Sequence, residues 1–309
     1  MIKNKSIFAY LIISLFFPIS PDLAHSVECI RSKFLFDIRP GADQPSDAAI
    51  APNGDIYLVD GVNNRIMIFD SNGRQKFVFG TEGAAEGEFR HPLGIDISDD
   101  GNVFIADTGN HRVQVFDLKG NFLHLFAVKT EPGEKPADPV DVLASKLKNY
   151  LYVSDNDNHK IKVFNQRGNF EFQWGKFGEG AGEFRYPGIL ASNEFNQVFV
   201  VDVLNTRVQS FDPFGKHLDD IGSWGVLPGN LFRPKGVAID KNNRVFVSDS
   251  YMGLIQVFTD LGRFLGVVCE SNVKRKFTTP VGMVMDDKRN RLYVVEMRAN
   301  KISIIEILN

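Results

Sequence analysis

The sequence has few cysteines, no excess of one charge and no long motif of metal-binding residues. Only two of its 309 residues are Cys, which excludes a scaffold held by many disulfides, and they form no CxxC or CxxCH motif for zinc or haem. The chain has 35 Lys and Arg against 38 Asp and Glu, a net charge of −3. This balance argues against a protein that binds nucleic acid by neutralising its phosphates.

The first 26 residues have the three parts of a secretory signal peptide. Residues 1–5 carry two Lys, residues 6–19 are apolar, and Ala24-His25-Ser26 places small residues before a cleavage site. We therefore predict cleavage of residues 1–26, export to the periplasm or the extracellular space, and a single domain over residues 27–309. Two alternatives stay open. One is an uncleaved membrane anchor, which would need roughly 20 apolar residues, and the other is a lipoprotein attached through Cys29.

One acidic residue recurs along the rest of the chain at intervals of 47 or 48 residues. Six units of 47 residues leave 27 residues, about the length of the signal peptide. An aromatic residue stands three positions before each acid, and a Pro recurs at similar intervals. The acids are Asp60, Asp107, Asp155, Asp202, Asp249 and Glu296.

Within each unit, apolar residues alternate with a period of two, which indicates β-strands. Pairs such as Asn53-Gly54 and Asn72-Gly73 supply hairpin turns between them. Four short antiparallel strands in a repeat of 40 to 50 residues predict a β-propeller and not a helical solenoid. The predicted units lie near residues 45–80, 81–129, 130–175, 176–225, 226–270 and 271–308.

The two ends of the repeat array predict how the ring closes. The last unit has three strands, whereas residues 33–38 form an additional strand that matches residues 76–79, the outer strand of the first unit. We expect this strand to complete the last blade, so that no sheet edge stays open. The predicted fold is therefore all-β: a six-bladed β-propeller of four-stranded antiparallel blades, closed by an N-terminal strand that completes the last blade.

The repeats resemble those of the NHL family of propellers. The second unit carries Gly87-Glu88-Phe89, Pro92-Leu93-Gly94-Ile95 and the segment from Ala106 to Val113, and the fourth unit repeats the pattern from Gly182 to Pro187. The resemblance spans about residues 33–308. Because NHL propellers have diverse functions, it implies a shape and only weakly an activity.

A basic residue stands five positions after the recurring acid in five units. Chemistry needs one site, so pairs repeated in five units are expected to pin the turn between the second and third strands by charge-assisted hydrogen bonds. The predicted pairs are Asp60–Arg65, Asp107–Arg112, Asp155–Lys160, Asp202–Arg207 and Glu296–Lys301.

The two cysteines are expected to be unpaired. Cys29 precedes the predicted strand at residues 33–38, whereas Cys269 ends its own strand. An offset of eight residues at roughly 3.3 Å each would separate them by about 25 Å, beyond the limit of about 7 Å for a disulfide. A fold-back of the segment before Lys33 would be the exception.

The loops around the repeated Pro form the candidate ligand-binding mouth. Residues just before and after each Pro surround the central channel, and they vary between units where a structural position should be uniform. In the fifth unit, the base expected after Asp249 is missing, and Tyr251-Met252 place adaptable apolar surface on the same face, which suits a protein partner. The candidate binding residues are His91, Tyr186, Arg233, Asp47, Asp138, Asp141, Tyr251 and Met252.

No nucleophile paired with a base stands out, whereas a variable loop face does. We therefore favour a non-catalytic binding or scaffold propeller in the cell envelope or outside the cell, with a protein, peptide or glycan as its partner. No cofactor is expected, nor is nucleic acid. The tripartite-motif NHL proteins, which the repeats also resemble, carry a basic face and RING or B-box zinc patterns. This chain has an acidic balance and neither zinc pattern.

The alternative is a metal-assisted lyase or a lactonase-like hydrolase that uses the channel mouth. The resemblance extends to an amidating lyase with a zinc-ligand His after the inner-strand Pro, but the matching positions here hold no His: Ser46, Leu93, Val140, Gly188, Lys235 and Val281. Calcium is the more reasonable metal, since Asp47, Asp138 and Asp141 offer the carboxylates that hard cations prefer.

Overall fold

A computed structural model of the protein describes residues 28–145 and 147–308. The described residues form strands almost throughout, and their helical content is limited to single 3-10 turns at Thr108–Asn110, Leu147–Asn149, Val203–Asn205 and Met297–Ala299. The predicted signal peptide, residues 1–26, lies outside the described residues. Within the described part, no helix is long and apolar enough to cross a membrane.

The first half of the described chain contains one strand that pairs with the end of the chain, two four-stranded antiparallel sheets and a small parallel pair. Strand β1 runs from Cys29 to Ile38. The first sheet has β2 (Ala48–Ile50), β3 (Ile56–Asp60), β4 (Arg65–Phe69) and β5 (Gln75–Phe79), followed by the pair β6 (Thr81–Glu82) and β7 (Glu88–Phe89). The second has β8 (Ile95–Ile97), β9 (Val103–Asp107), β10 (Arg112–Phe116) and β11 (Phe122–Ala127).

Two more four-stranded sheets follow the same order. The third has β12 (Pro139–Ala144), β13 (Tyr150–Asp155), β14 (Lys160–Asn165) and β15 (Phe170–Trp174). The fourth has β16 (Pro187–Ser192), β17 (Val198–Asp202), β18 (Arg207–Phe211) and β19 (His217–Ile221). In each sheet the first strand is innermost and the recurring acid ends the second strand.

The remaining strands form one continuous sheet. They are β20 (Pro234–Ile239), β21 (Arg244–Asp249), β22 (Leu254–Thr259), β23 (Phe264–Glu270), β24 (Val273–Lys274), β25 (Pro280–Asp286), β26 (Arg291–Glu296) and β27 (Lys301–Ile307). The order is β20-β21-β22-β23-β1-β27-β26-β25, an eight-stranded path from which only β24 branches, at β23. Over the described residues the protein is therefore an all-β propeller of four four-stranded sheets, one nine-stranded sheet built on this eight-stranded path, and the small pair β6–β7.

The prediction of six separate blades is wrong, because the strands of the last two predicted blades belong to one continuous sheet. Strand β1 pairs antiparallel with β27, and it also pairs parallel with β23 through the register Cys29–Val267 to Ser32–Glu270. The predicted strand covered residues 33–38 only, which reach one neighbour. The four extra residues at its start reach the second neighbour and join two groups of strands into one sheet.

The same parallel register overturns the prediction about the cysteines. Cys29 and Cys269 form a disulfide, with Cα atoms 5.4 Å apart. Arg31 is the direct partner of Cys269, so Cys29 lies two residues from it along the neighbouring strand. The predicted separation of about 25 Å came from starting the strand at Lys33.

The inner strands surround a central channel. Each of β2, β8, β12, β16 and β20 contacts the next inner strand, and β25 contacts both β20 and β2. Apolar side chains fill the space between neighbouring groups of strands; one such cluster joins Tyr57 and Phe89 to Phe116. Because alternate residues of every strand enter these clusters, the period-two pattern of the sequence is the pattern of the core.

Candidate functional site

The recurring acids hold the loops of the propeller together. Asp107 is fully buried; its Oδ1 accepts the N–H of Arg90 at 2.8 Å, and its Oδ2 accepts Arg112 Nε at 2.7 Å and Asn110 Nδ2 at 2.9 Å. Ion pairs of the same kind join Asp60 to Arg65, Asp202 to Arg207 and Glu296 to Lys301. These carboxylates have their oxygens engaged in the fold.

The third unit departs from the predicted pairing. Lys160 contacts Glu134, and Asp155 pairs with Lys162 at 2.7 Å, so the predicted pair Asp155–Lys160 is wrong. Lys162 is fully buried and also reaches Glu134 Oε2 at 2.8 Å. Burial alone would raise the pKa of Glu134, but hydrogen bonds from Lys160 and Lys162 lower it to about 2.

Three of the predicted binding residues meet in a cleft on the loop face, which carries the turns after the recurring acids and the loops that enter the inner strands. Arg233, Tyr251 and Met252 line a cavity of about 340 Å³ together with Lys276 and Arg298. Its lining has three cations and no carboxylate. We call it the basic cleft.

Aromatic contacts organise the wall of the basic cleft. The ring of Tyr251 lies against that of Phe232 with centroids 4.4 Å apart, and the guanidinium carbon of Arg233 is 5.9 Å from the Tyr251 ring. Lys276 Nζ donates to the carbonyl of Met252 at 2.8 Å. Tyr251 is nevertheless 64% exposed, so its outer face is open to a ligand.

An exposed apolar loop leads into this cleft, and sequence reasoning missed it. In residues 222–231, which we call the apolar loop, Trp224, Val226 and Leu227 are 71%, 60% and 68% exposed. The matching loops at residues 80–89 and 175–184 have Glu82 and Phe177 where this loop has Trp224. Comparison of the three loops could have found it, because Gly229-Asn230-Leu231 stands where the others have Gly-Glu-Phe.

The apolar loop has a fixed backbone. Gln256 accepts the N–H of Gly229 at 2.9 Å and donates to the carbonyl of Asn230 at 2.5 Å. Gln114 makes the same two bonds to Gly87 and Glu88 in the second unit. The loop therefore presents its apolar side chains from a rigid base.

Three other predicted binding residues lie apart from each other. The backbone N–H of His91 donates to Asn64 Oδ1, and Tyr186 places its ring edge on His159, with centroids 4.8 Å apart. Asp138 is half-buried beside Asp155, whose Oδ1 accepts its N–H. None of the three lines the basic cleft or the central channel.

The remaining two, Asp47 and Asp141, line a cavity of about 640 Å³ in the central channel. The lining continues along the inner strands to exposed residues beyond their carboxyl ends, including Asp100 and Asp287. This central cavity therefore opens on the face opposite to the loop face. The predicted mouth was placed at the other end of the inner strands. No residue lines both the central cavity and the basic cleft.

Glycines make room for the two carboxylates. A Cβ on Gly94 would lie 2.3 Å from Asp141 Oδ1, and a Cβ on Gly282 would lie 2.3 Å from Asp47 Oδ1. Asp47 and Asp141 are 5% and 2% exposed, so they close the inner end of the cavity. Asp96, which the sequence did not single out, stands nearer the opening and is half-buried.

Each carboxylate of this trio binds the backbone of the next inner strand. Asp47 Oδ2 accepts from Ile95, Asp96 Oδ2 from Ala144 and Asp141 Oδ2 from Leu190, at 3.2, 2.8 and 2.7 Å. These bonds tie neighbouring inner strands together. They leave Asp141 Oδ1 with no hydrogen-bond partner among the described residues.

Burial without a cation raises the pKa of all three groups. Desolvation raises the pKa of Asp47 to about 8 and that of Asp96 to about 6, against the bonds that they accept from the backbone. The pKa of Asp141 is raised well above its usual value, by burial first and then by the neighbouring charge of Asp47. The central cavity thus holds carboxyl groups that titrate near neutral pH.

The donor set does not fit the calcium site that the sequence offered. Asp47 and Asp141 line the central cavity, whereas Asp138 does not. Over residues 28–145 and 147–308, no group of three or more His, Cys, Asp or Glu side chains is arranged to hold a metal ion.

Solved structures with the same architecture define the class of the protein, which is the β-propeller. A gluconolactonase from Xanthomonas campestris matches with a TM-score of 0.69 and 14% identity, over 90% of each chain. A catalytically inactive virginiamycin B lyase from Staphylococcus aureus with quinupristin matches with a TM-score of 0.62 and 14% identity, over 85% of this chain and 80% of that one. At this identity the likeness concerns the fold.

The sequence pattern of the NHL repeat matches residues 89–116 and 233–258. These two matches confirm, for the second and fifth predicted units, the resemblance to NHL repeats predicted from the motifs. No curated protein matches the chain in sequence.

Proposed function

We propose that this propeller is a non-catalytic binding module in the cell envelope or outside the cell, and that it engages a protein or peptide on its loop face. The observation that carries the proposal is the apolar loop. Trp224, Val226 and Leu227 are exposed on a backbone held by Gln256. Exposed apolar clusters on soluble proteins commonly mark interaction sites, and a fixed backbone lowers the entropic cost of binding.

The surroundings of the apolar loop favour a partner with acidic groups. The loop continues through Phe232, whose ring packs on Tyr251 at the wall of the basic cleft. Arg233, Lys276 and Arg298 place positive charge beside this apolar surface. A peptide segment with a large apolar side chain near a carboxylate would match both features.

The disulfide supports the proposed location. Disulfides persist in secreted and periplasmic proteins and are rare in the reducing cytosol. The bond between Cys29 and Cys269 therefore fits the predicted export of the chain.

Site-specific photo-crosslinking in the producing cells would test the proposed face. Trp224→p-benzoylphenylalanine should form a crosslink to one defined protein. Leu261, 72% exposed in the turn between β22 and β23 on the opposite face, supplies the matched position. The same crosslinker at Leu261 should not capture that protein, and purified partner should bind the wild type but not the triple variant Trp224→Ser, Val226→Ser, Leu227→Ser. Equal crosslinking from both positions, or unchanged binding by the triple variant, would contradict the proposal.

A second candidate function is a lyase or a lactonase-like hydrolase. Two observations favour it: propellers of this fold include a gluconolactonase and a virginiamycin B lyase, and Asp96 has a pKa of about 6, close to what general acid–base chemistry uses. Hydrolysis of lactones by the wild type, lost in Asp96→Asn but kept in Glu194→Gln, would put this candidate first. Glu194 is an exposed acid outside the central cavity.

A further inference from the structure

We propose that the central cavity binds an organic cation, namely a primary amine with an apolar body. The site is separate from the loop face, and it opens on the opposite side of the propeller. It is assembled from all the inner strands, so its lining is as rigid as the ring itself. With a volume of about 640 Å³, it has the size of a small-molecule site.

The charge of the lining selects a cation. Six Asp line the cavity, and none of its lining residues is Lys, Arg or His. In a cleft with low-dielectric walls, charges of one sign reinforce each other's field and concentrate counter-charged ligands. The six are Asp47, Asp96, Asp99, Asp100, Asp141 and Asp287.

One carboxylate oxygen of a residue that lines the inner end of the cavity has no hydrogen-bond partner among the described residues. Asp141 is 2% exposed and lines the cavity, and its Oδ1 has no hydrogen-bond partner among the described residues. A buried carboxylate oxygen in this state is costly. An ammonium group at the cavity's inner end would stabilise the ionised forms of Asp47 and Asp141.

The walls favour an organic cation over a metal ion. Between the acids, the lining is formed by apolar residues of the inner strands, such as Val142, Leu190 and Met283. The acids are not grouped as metal ligands in the described chain. A chain or ring of carbon atoms would cover the apolar wall while its amine reaches the carboxylates.

The raised pKa values add a consequence that can be measured. A bound ammonium group stabilises the ionised form of nearby carboxyls and so lowers their pKa. At pH 7, binding of the amine should therefore release protons from Asp47 or Asp141 to the buffer. The heat of binding should then differ between two buffers of different ionisation enthalpy by an amount proportional to that release.

Isothermal titration calorimetry with 2-phenylethylamine and with the straight-chain primary amines from butylamine to octylamine would test the site. We expect at least one amine to bind with proton release, whereas 2-phenylethanol, the neutral counterpart of 2-phenylethylamine, should not. Asp96→Asn keeps an acceptor for Ala144 and removes one negative charge from the lining; it should weaken amine binding about tenfold through the lost electrostatic attraction. Glu194→Gln, which removes an exposed charge outside the cavity, should bind like the wild type.

Several outcomes would overturn this inference. They are binding of no amine in the series, equal binding of 2-phenylethanol, the same loss of affinity in Glu194→Gln as in Asp96→Asn, or binding of calcium alone. Circular dichroism of each variant separates a loss of binding from a loss of fold. Crosslinking through Trp224 should be unchanged in Asp96→Asn, so the two proposals can fail independently.

Discussion

Cys29 and Cys269 are bonded to each other across the line where β1 meets β23, although 240 positions separate them in the sequence. The bond ties β1, the first strand of the described chain, to its neighbour β23 within the large sheet. It reinforces the short parallel register between the two strands, which spans only four residue pairs.

Loss of this disulfide should destabilise the protein by about 2–5 kcal/mol, since a crosslink over a long loop restricts the unfolded chain strongly. Urea unfolding of the double variant Cys29→Ser, Cys269→Ser would measure it. The wild type in reducing agent should behave like the double variant. Equal midpoints for the oxidised and reduced wild type would show that the bond contributes nothing.

Gln256 and Gln114 hold equivalent loops, so they allow a matched test of the apolar loop. Gln256→Leu and Gln114→Leu should each lower the free energy of unfolding by about 1–3 kcal/mol. The first leaves the Gly229 N–H and the Asn230 carbonyl without this partner, and the second leaves the Gly87 N–H without it and removes the bond to Asp107. Only Gln256→Leu should reduce binding of the partner captured through Trp224. If Gln114→Leu reduces it equally, the effect on binding is one of general stability.

Lys162→Met should lower the free energy of unfolding at pH 7 by about 3–5 kcal/mol, because it leaves the buried Asp155 without its cation and Glu134 with Lys160 alone. The pKa of Glu134 is lowered from 4.5 to about 2, so its contribution is present above about pH 4.5 and is lost as the pH falls towards 2. Chemical unfolding of both proteins between pH 7 and pH 2.5 should show the difference shrinking in acid. A double variant with Glu134→Gln and Lys162→Gln should lack that acid dependence; a gap between Lys162→Met and the wild type that stays constant down to pH 2.5 would contradict the assignment.

Asp47→Asn tests the cost of the carboxyl at the inner end of the cavity. The pKa of Asp47 is raised to about 8 in the fold, so its protonated form stabilises the protein at low pH, and that stability is lost as the pH rises to about 8. Asn cannot ionise and keeps an acceptor for the Ile95 N–H. Relative to the wild type, the variant should therefore gain stability between pH 5 and pH 9, by a few kcal/mol. An unchanged difference at pH 5, 7 and 9 would show that Asp47 does not titrate in this range.

The repeat predicted the local structure closely. The period-two alternation of the second unit predicts strands at 93–97, 102–106, 113–117 and 121–126. Strands β8 to β11 lie within two residues of those bounds. Period-two alternation and the recurring acid are local signals repeated many times. The pairing of β1 with two neighbours is different, because the residues at its start do not follow the repeat and their partner is more than 200 positions away.

The candidate site was predicted less well, for a related reason. Variation between units pointed to Tyr251 and Arg233, which do meet in the basic cleft. It could not show that Asp141 lines the central cavity and Asp138 does not, because the two residues are only three positions apart in the sequence. Nor could it distinguish the two ends of the channel, because both are approached by alternating residues of the same inner strands.

The position of β1 also sets the order in which the ring can be completed. Its antiparallel partner, β27, contains the last residues of the described sheet, so this pairing has to wait until nearly all the chain is available. Contacts between such distant segments pay a large loop-closure entropy and slow folding. Until then, the edges of β23 and β27 are unpaired and able to pair with another chain. The molecule should therefore be most prone to aggregate in the interval before its first strand inserts, and faster insertion of that strand should raise the yield of folded protein.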